Sequence, residues 1–277
     1  MWRQYQKGSG EKRIRRVFER LKREGKRALI PYITAGDPDP ERSLRLLNWL
    51  SEKGADIIEV GIPFSDPMAD GPTIQRAMER ALRNRTDLRQ ILLMVKRFRQ
   101  SHETPIILMG YMNPFFAYGL ERVVREAKMV GVDALLAVDL PPEEAQEFSL
   151  LLRREGVASI FLATPVTHDK RIGIIGRFAR GFVYFVSVTG VTGEREEIQL
   201  DIVERIASVR RITGLPTVLG FGVASARIIE EFFPYVDGFV VGSAIVRRWE
   251  EAGFDADSEP FKSFFPELER ACHRPFS

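Results

Sequence analysis

Between positions 57 and 73 the chain reads Ile57-Ile58-Glu59-Val60-Gly61-Ile62-Pro63-Phe64-Ser65-Asp66-Pro67-Met68-Ala69-Asp70-Gly71-Pro72-Thr73. An apolar strand carrying one carboxylate opens into a loop, punctuated by Gly and Pro, that carries two more. With a strand over Asp56 to Gly61, the two-residue period puts positions 57, 59 and 61 on one face and Ile58 and Val60 on the other. Glu59 then points into an apolar interior near the strand's C-terminal end. A lone buried carboxylate costs several kcal/mol unless it is neutralised or used. Its pKa therefore moves toward neutrality, which suits it to donating and accepting a proton at ordinary pH. Asp70, on a more solvated loop, is expected to stay ionised and to suit hydrogen bonding where positive charge develops. Asp66, between Ser65 and Pro67, fits an Asx-type turn.

A second group of residues points to an anion. Glycines cluster as Gly190/Gly193, Gly220/Gly222 and Gly242-Ser243, each after a β-rich run. Backbone N–H groups there, unobstructed by Cβ and aimed from a helix N-terminus, form an anion cradle that needs no Lys or Arg, and a phosphate monoester is its natural ligand. Gly220-Phe221-Gly222-Val223-Ala224-Ser225 imitates a dinucleotide fingerprint, but its third glycine is missing and the next strand ends in Val240-Val241-Gly242 with no acid for a ribose. Other chemistries lack their residues. His102, His168 and His273 have no ligand spacing, so no metal site is expected, and with Cys272 as the one cysteine there is no Cys-x-x-Cys. No Gly-x-Ser-x-Gly elbow occurs either.

The elements that must position these residues follow from hydrophobic periodicity. Short β-branched runs alternate with helical patterns: Leu29 to Ile33, Asp56 to Gly61, Ile106 to Met109, Ala134 to Val138, Ser159 to Ala163, Phe182 to Val186, Thr217 to Leu219 and Gly238 to Val241. Amphipathic stretches lie between them, including Glu41 to Lys53, Asp87 to Gln100, Pro142 to Glu155 and Leu200 to Ile212. Gly54, Gly131, Gly156 and Gly214 precede strands, as helix C-caps do. Eight βα units predict an α/β protein with a parallel sheet closed into a single (β/α)8 TIM barrel, in preference to an open doubly wound sheet. In such a barrel the residues just after each strand build the site. The 277 residues carry a net charge of +3, yet residues 1–27 alone hold eleven Lys/Arg against three Glu. Ile14, Val17, Phe18 and Leu21 fall at helical spacing, so this basic segment reads as a packed extra helix rather than a nucleic-acid arm or a transit peptide. The expected organisation is a basic arm over 1–13 and one barrel domain over 14–277, with no membrane span.

Pro31-Tyr32-Ile33-Thr34-Ala35-Gly36-Asp37-Pro38, Glu59 to Thr73, Gly110-Tyr111-Met112-Asn113-Pro114, Asp139-Leu140-Pro141, Gly190-Val191-Thr192-Gly193, Gly220-Phe221-Gly222 and Val241 to Val246 closely resemble the tryptophan synthase alpha chain family in order and spacing. The resemblance covers about residues 14 to 250. It implies retro-aldol cleavage of indole-3-glycerol phosphate to indole and glyceraldehyde 3-phosphate in cytoplasmic tryptophan biosynthesis. It also implies an α2β2 complex with a beta chain, pyridoxal phosphate lying in that partner and no cofactor in this chain. The family's catalytic glutamate and aspartate match Glu59 and Asp70. Tyr32, Leu136 and Tyr184 match its apolar ring pocket, and Thr192, Gly193, Gly222, Gly242 and Ser243 its substrate-binding loops. Val188 to Glu197 reads as a lid, and Asp139 as a loop-organising partner of the strand-two loop. The alternatives are a stand-alone lyase, another phosphate-substrate barrel, or a silent barrel subunit that activates a beta chain.

Overall fold

The computed structural model describes residues 9–187, 196–220 and 222–275. Eight parallel strands close into a barrel in sequence order. They are β1 (Ala28–Thr34), β2 (Ile58–Gly61), β3 (Ile106–Gly110), β4 (Ala134–Ala137), β5 (Ala158–Ala163), β6 (Val183–Val186), β7 (Thr217–Gly220) and β8 (Gly238–Val241). Every strand expected from the sequence is present, with ends moved by two residues at most. The register pairs, followed once around, advance by about eight residues, the shear of a TIM barrel.

The helices begin with α1 (Gly10–Arg23), α2 (Pro40–Glu52), α3 (Pro72–Arg83), α4 (Leu88–Phe98), α5 (Met112–Tyr118) and α6 (Leu120–Val130). They continue with α7 (Gln146–Glu155), α8 (Asp169–Phe178), α9 (Glu196–Thr213), α10 (Ala226–Phe232), α11 (Ser243–Glu251) and α12 (Phe261–His273). Local chemistry sets their ends. Asp39 and Asp87 cap α2 and α4 with their side chains, and Gly131 and Gly156 close α6 and α7 in the left-handed conformation, where a Cβ is strained. The helix expected from Pro142 starts only at Gln146.

Two cores result. Outward-facing strand residues such as Ile58, Val60 and Leu108 pack under the helical shell, whereas Ile30, Ile57, Ile107, Leu136, Ile160, Phe182 and Val218 fill the barrel itself. Helix α1 closes the N-terminal end of this interior. It buries Ile14, Phe18 and Leu21, with the Phe18 ring 5.7 Å from that of Phe182. Each such side chain contributes about 1.5–3 kcal/mol on burial, which identifies the basic residues of α1 as the solvated back of a packed helix. Two of its arginines anchor it further: Arg13 pairs with the fully buried Asp133 at 2.5 Å and Arg20 with Asp56 at 2.7 Å. Gly10 lies so close to Asp133 that a Cβ would come within 2.1 Å of its carbonyl oxygen. The segment after Glu251, for which the quoted motifs gave no expectation, also belongs to the shell: α12 buries Phe261, Phe265, Leu268 and Cys272, with Phe261 5.3 Å from the Trp49 ring.

Candidate active site

A cavity of about 210 Å³ opens at the C-terminal end of the barrel. Glu59 and Asp70 both line it, as do Tyr32, Tyr184, Gly222, Gly242 and Ser243. Glu59 is buried on β2, paired in register with Tyr32 of β1 and Ile107 of β3. Its Oε2 has no hydrogen-bond partner among the described residues. Burial, with a smaller contribution from the charge of Asp70, pushes its pKa up to about 8, so Glu59 is a neutral carboxylic acid at pH 7.

Asp70 differs from its expected environment. The loop does not leave it well solvated: burial raises its pKa as well, and the Tyr111 hydroxyl, donating to Oδ2 at 2.7 Å, works against that rise. Tyr111 in turn accepts the Ala69 N–H at 3.0 Å, and its ring lies 5.1 Å from that of Phe64. One phenol thus fixes both the carboxylate and the loop that carries it. Gln75 of α3 holds the same loop through the Asp70 carbonyl at 2.8 Å. The sequence reading assigns Tyr111 no role. The signal was there, since it continues the interior face of Ile107 and Met109.

Two other acids need correction. Asp139 does not organise the strand-two loop directly; its Oδ1 accepts the Met112 N–H at 2.8 Å, which fixes the loop after β3, the one that carries Tyr111. Asp66 takes the Ser65 hydroxyl on its carboxylate, and the turn there is closed by its backbone carbonyl, which accepts the Met68 N–H at 2.9 Å.

Two tyrosine rings flank the cavity, and each occupies space left by a glycine on the next strand. A Cβ on Gly61 would meet the Tyr32 hydroxyl at 2.0 Å, and one on Gly220 would meet Cε1 of Tyr184 at the same distance. Burial holds both phenols protonated, well above the usual tyrosine range. Leu136 is buried in the same interior cluster but does not line the cavity. Met109, Ile74 and Val240 line it instead and make the remaining wall apolar. Met109 and Val240 are legible in hindsight from the two-residue period of β3 and β8.

Gly222, Val223, Ala224, Gly242, Ser243 and Ala244 also line the cavity. Gly222 has φ +81°, a conformation that favours glycine. Gly242 precedes α11, whose first intrahelical bond runs from the Val246 N–H to the Gly242 carbonyl. The N–H groups of Ser243 and Ala244 therefore come before the helical ladder, with the positive end of the helix dipole behind them. No Lys or Arg lines the cavity among the described residues. Of the lid expected over Val188 to Glu197, residues 188–195, Thr192 and Gly193 among them, lie outside the described residues, as does Phe221, whereas its last two positions begin α9. No group of three or more metal-ligating side chains occurs among the described residues.

Residues 18–267 match the profile of the tryptophan synthase alpha chain family. The tryptophan synthase alpha chain of Geobacter sulfurreducens is 49% identical over 238 residues, covering 86% of this chain and 90% of the relative. That of Geotalea uraniireducens is 47% identical and covers 92% and 96%. Among solved structures, tryptophan synthase subunit alpha from Legionella pneumophila superposes with a TM-score of 0.86 at 39% identity, covering 94% of this chain and 98% of its own. A chain from the tryptophan synthase α2β2 complex of Pyrococcus furiosus superposes with a TM-score of 0.81 at 43% identity, covering 88% and 98%.

Proposed function

This chain belongs to the tryptophan synthase alpha chain family, and from that premise we propose that Glu59 and Asp70 divide between them the proton work of its lyase reaction. The reaction is the cleavage of indole-3-glycerol phosphate to indole and glyceraldehyde 3-phosphate in tryptophan biosynthesis. The observation that carries the assignment is the buried Glu59, whose Oε2 has no hydrogen-bond partner among the described residues, facing a cavity that also contains Asp70.

The chemistry asks for three things: a proton delivered to indole C3, stabilisation of the N1–H as positive charge develops on the ring, and removal of the proton from the glyceryl hydroxyl next to the scissile bond. Glu59, neutral at pH 7, donates to C3. As the carboxylate it then accepts the hydroxyl proton, the C–C bond breaks with its electron pair returning to the indole, and the hydroxyl carbon becomes the aldehyde. Asp70, kept in its ionised form and in place by Tyr111, hydrogen-bonds the indole N–H and stabilises the cationic intermediate. Tyr32, Tyr184 and Met109 enclose the ring, and the backbone of Gly222, Gly242, Ser243 and Ala244 takes the phosphate.

The beta chain of tryptophan synthase is the partner that the family implies, and we assign this chain to an α2β2 assembly in which pyridoxal phosphate lies in the beta chain. Met68, 92% exposed on the strand-two loop, and Phe116, 61% exposed on α5, give the rim beside the cavity an apolar surface for that partner. A cytoplasmic location follows from the pathway; no helix among the described residues is long and apolar enough to cross a membrane. The test is to mix the purified chain with indole-3-glycerol phosphate, with and without a beta chain, and to measure indole. Release in either mixture is the expected result, and absence of indole in both refutes the assignment.

A further inference from the structure

One arginine that does not line the cavity joins three elements beside it. Arg80, on α3, donates from Nε and Nη2 to the two carboxylate oxygens of Asp37 at 2.6 and 3.0 Å, and from Nη1 to Glu250 at 2.9 Å. Asp37 sits in the loop after β1, and its side chain is only 2% exposed. Burial raises the Asp37 pKa and the Arg80 bonds oppose that rise, so removal of the guanidinium would leave an unpaired buried acid. The loop is tied to α11 a second time, since Trp249 Nε1 donates to the Asp37 carbonyl at 3.4 Å.

The two helices that meet at this arginine both begin at the cavity. Helix α3 starts at Pro72, two residues after Asp70, and Arg80 lies about 12 Å further along it at 1.5 Å per residue. Helix α11 starts at Ser243, in the anion cradle, and Glu250 lies about 10 Å along it. Ile74, Ala77 and Met78 of α3 share one buried cluster with Val246 of α11. One helix therefore carries the indole-binding carboxylate at its start, the other carries the phosphate-binding N–H groups at its start, and the guanidinium pins the two together near their far ends.

We propose that Arg80 is a positioning residue for the reaction: by holding Asp37 and Glu250 on one guanidinium it fixes α3 against α11, and so sets the distance between Asp70 and the phosphate cradle that one substrate must span. The inference rests on the functional reading above. A bidentate arginine is suited to the task because its planar fork fixes angle as well as distance, which a lysine cannot do. Misplacement of a reacting group by about 1 Å can cost about 100-fold in rate.

The experiment compares wild type with Arg80→Lys, Arg80→Ala and Glu250→Ala, each checked for folding by circular dichroism and thermal midpoint and assayed well below that midpoint. Glycerol phosphate, which occupies the cradle alone, should bind within about threefold of wild type in every folded variant. The kcat for indole release should fall about 10- to 100-fold in Arg80→Lys and Arg80→Ala, and less in Glu250→Ala, where the Asp37 pair remains. A purely structural role would lower the thermal midpoint and leave kcat intact in the folded variants. Arg80→Lys keeps a cation beside Asp37 and Glu250 is 38% exposed, so these two variants together decide the question even where Arg80→Ala fails to fold. A kcat within threefold of wild type in folded Arg80→Lys and Glu250→Ala overturns the proposal, and so does a loss of glycerol phosphate binding that parallels the loss of kcat. Absence of indole release by the wild type would instead overturn the functional reading.

Discussion

Replacing Glu59 by glutamine should abolish catalysis and, at alkaline pH, stabilise the fold. Glutamine keeps the shape but carries no exchangeable acid, so turnover should fall at least ~100-fold while substrate still binds. The effect on stability follows from linkage. In the folded protein Glu59 has a pKa of about 8, against 4.5 for a free glutamate. Between those values the folded state holds a proton that the unfolded state has released, so stability falls as pH rises. Each pH unit inside the window costs about 1.4 kcal/mol, or about 3 kcal/mol between pH 5 and pH 7 and somewhat under 5 kcal/mol across the whole window. Above pH 8 both states are ionised and the loss is complete. Glu59→Gln removes this titration. A buried amide adds a hydrogen-bonding offset of its own, but that offset does not vary with pH. The diagnostic quantity is therefore the change with pH of the difference between the two proteins, measured by urea unfolding at pH 5, 7 and 9. The variant should gain on the wild type by about 3 kcal/mol from pH 5 to 7, and little more beyond about pH 8. A difference that stays constant from pH 5 to 9 would show that Glu59 is already ionised in the fold, and would refute both the raised pKa and the donor role built on it.

Asp70→Asn should cut indole release by at least ~100-fold, as loss of a transition-state hydrogen-bond acceptor does, while glycerol phosphate binding measured by calorimetry stays near the wild-type value. Loss of that binding would make Asp70 structural. Gly222→Val should weaken glycerol phosphate binding at least ~10-fold, because φ +81° is strained for valine and its side chain enters the cradle. Inorganic phosphate should compete with substrate in the wild type. At Gly242 a Cβ meets, among the described residues, only the Tyr32 side chain, its Cβ at 3.8 Å and its Cγ at 4.0 Å, so Gly242→Ala should leave the fold intact. His273 makes a prediction at the opposite end of the barrel. Its two ring nitrogens lie 2.7 Å from Asp56 and from Glu269; both must carry protons to donate, and these carboxylates raise its pKa against the opposing effect of burial. The stabilisation it provides should be complete below about pH 6.5, the ordinary histidine value, and should disappear as pH rises through its folded pKa. Chemical denaturation of His273→Gln against wild type checks this, and a difference that grows with pH would reverse the assignment.

The parts of the architecture that depend on local period were legible in the sequence. Strand alternation alone put Glu59 in the interior, and one residue of slippage would have placed it in the shell. The environment of Asp70 was not legible, because it depends on a phenol 41 residues away that only closure of the barrel brings within 2.7 Å. Asp139 failed for a related reason: its position after β4 says that it reaches a neighbouring loop, but not which N–H of that loop it meets. Helix α12 was hidden by Pro266, which lies inside it and argues against a helix on propensity. The apolar spacing of Phe261, Phe265, Leu268 and Cys272 overrides that preference through packing.

The distribution of cations separates the buried acids by task. At the N-terminal end of the barrel, Asp133 is met by Arg13, Arg99 and the Ile106 N–H, and Asp56 by Arg20, His273 and the Leu29 N–H. Both acids are matched by cations, and they tie strands to helices. At the C-terminal end no Lys or Arg lines the cavity among the described residues, and Glu59 and Asp70 are left with tyrosines and each other. A cation beside Glu59 would remove the destabilisation estimated above, but it would also draw the pKa back down and take away the proton that the reaction needs at neutral pH. The same cation would add a charge to compete with backbone N–H groups for the phosphate. Asp37 marks the boundary between the two regimes: it is buried on the cavity side of the fold yet fully paired by Arg80, which assigns it to holding the site in place and leaves the chemistry to the two carboxylates that have no counter-ion among the described residues.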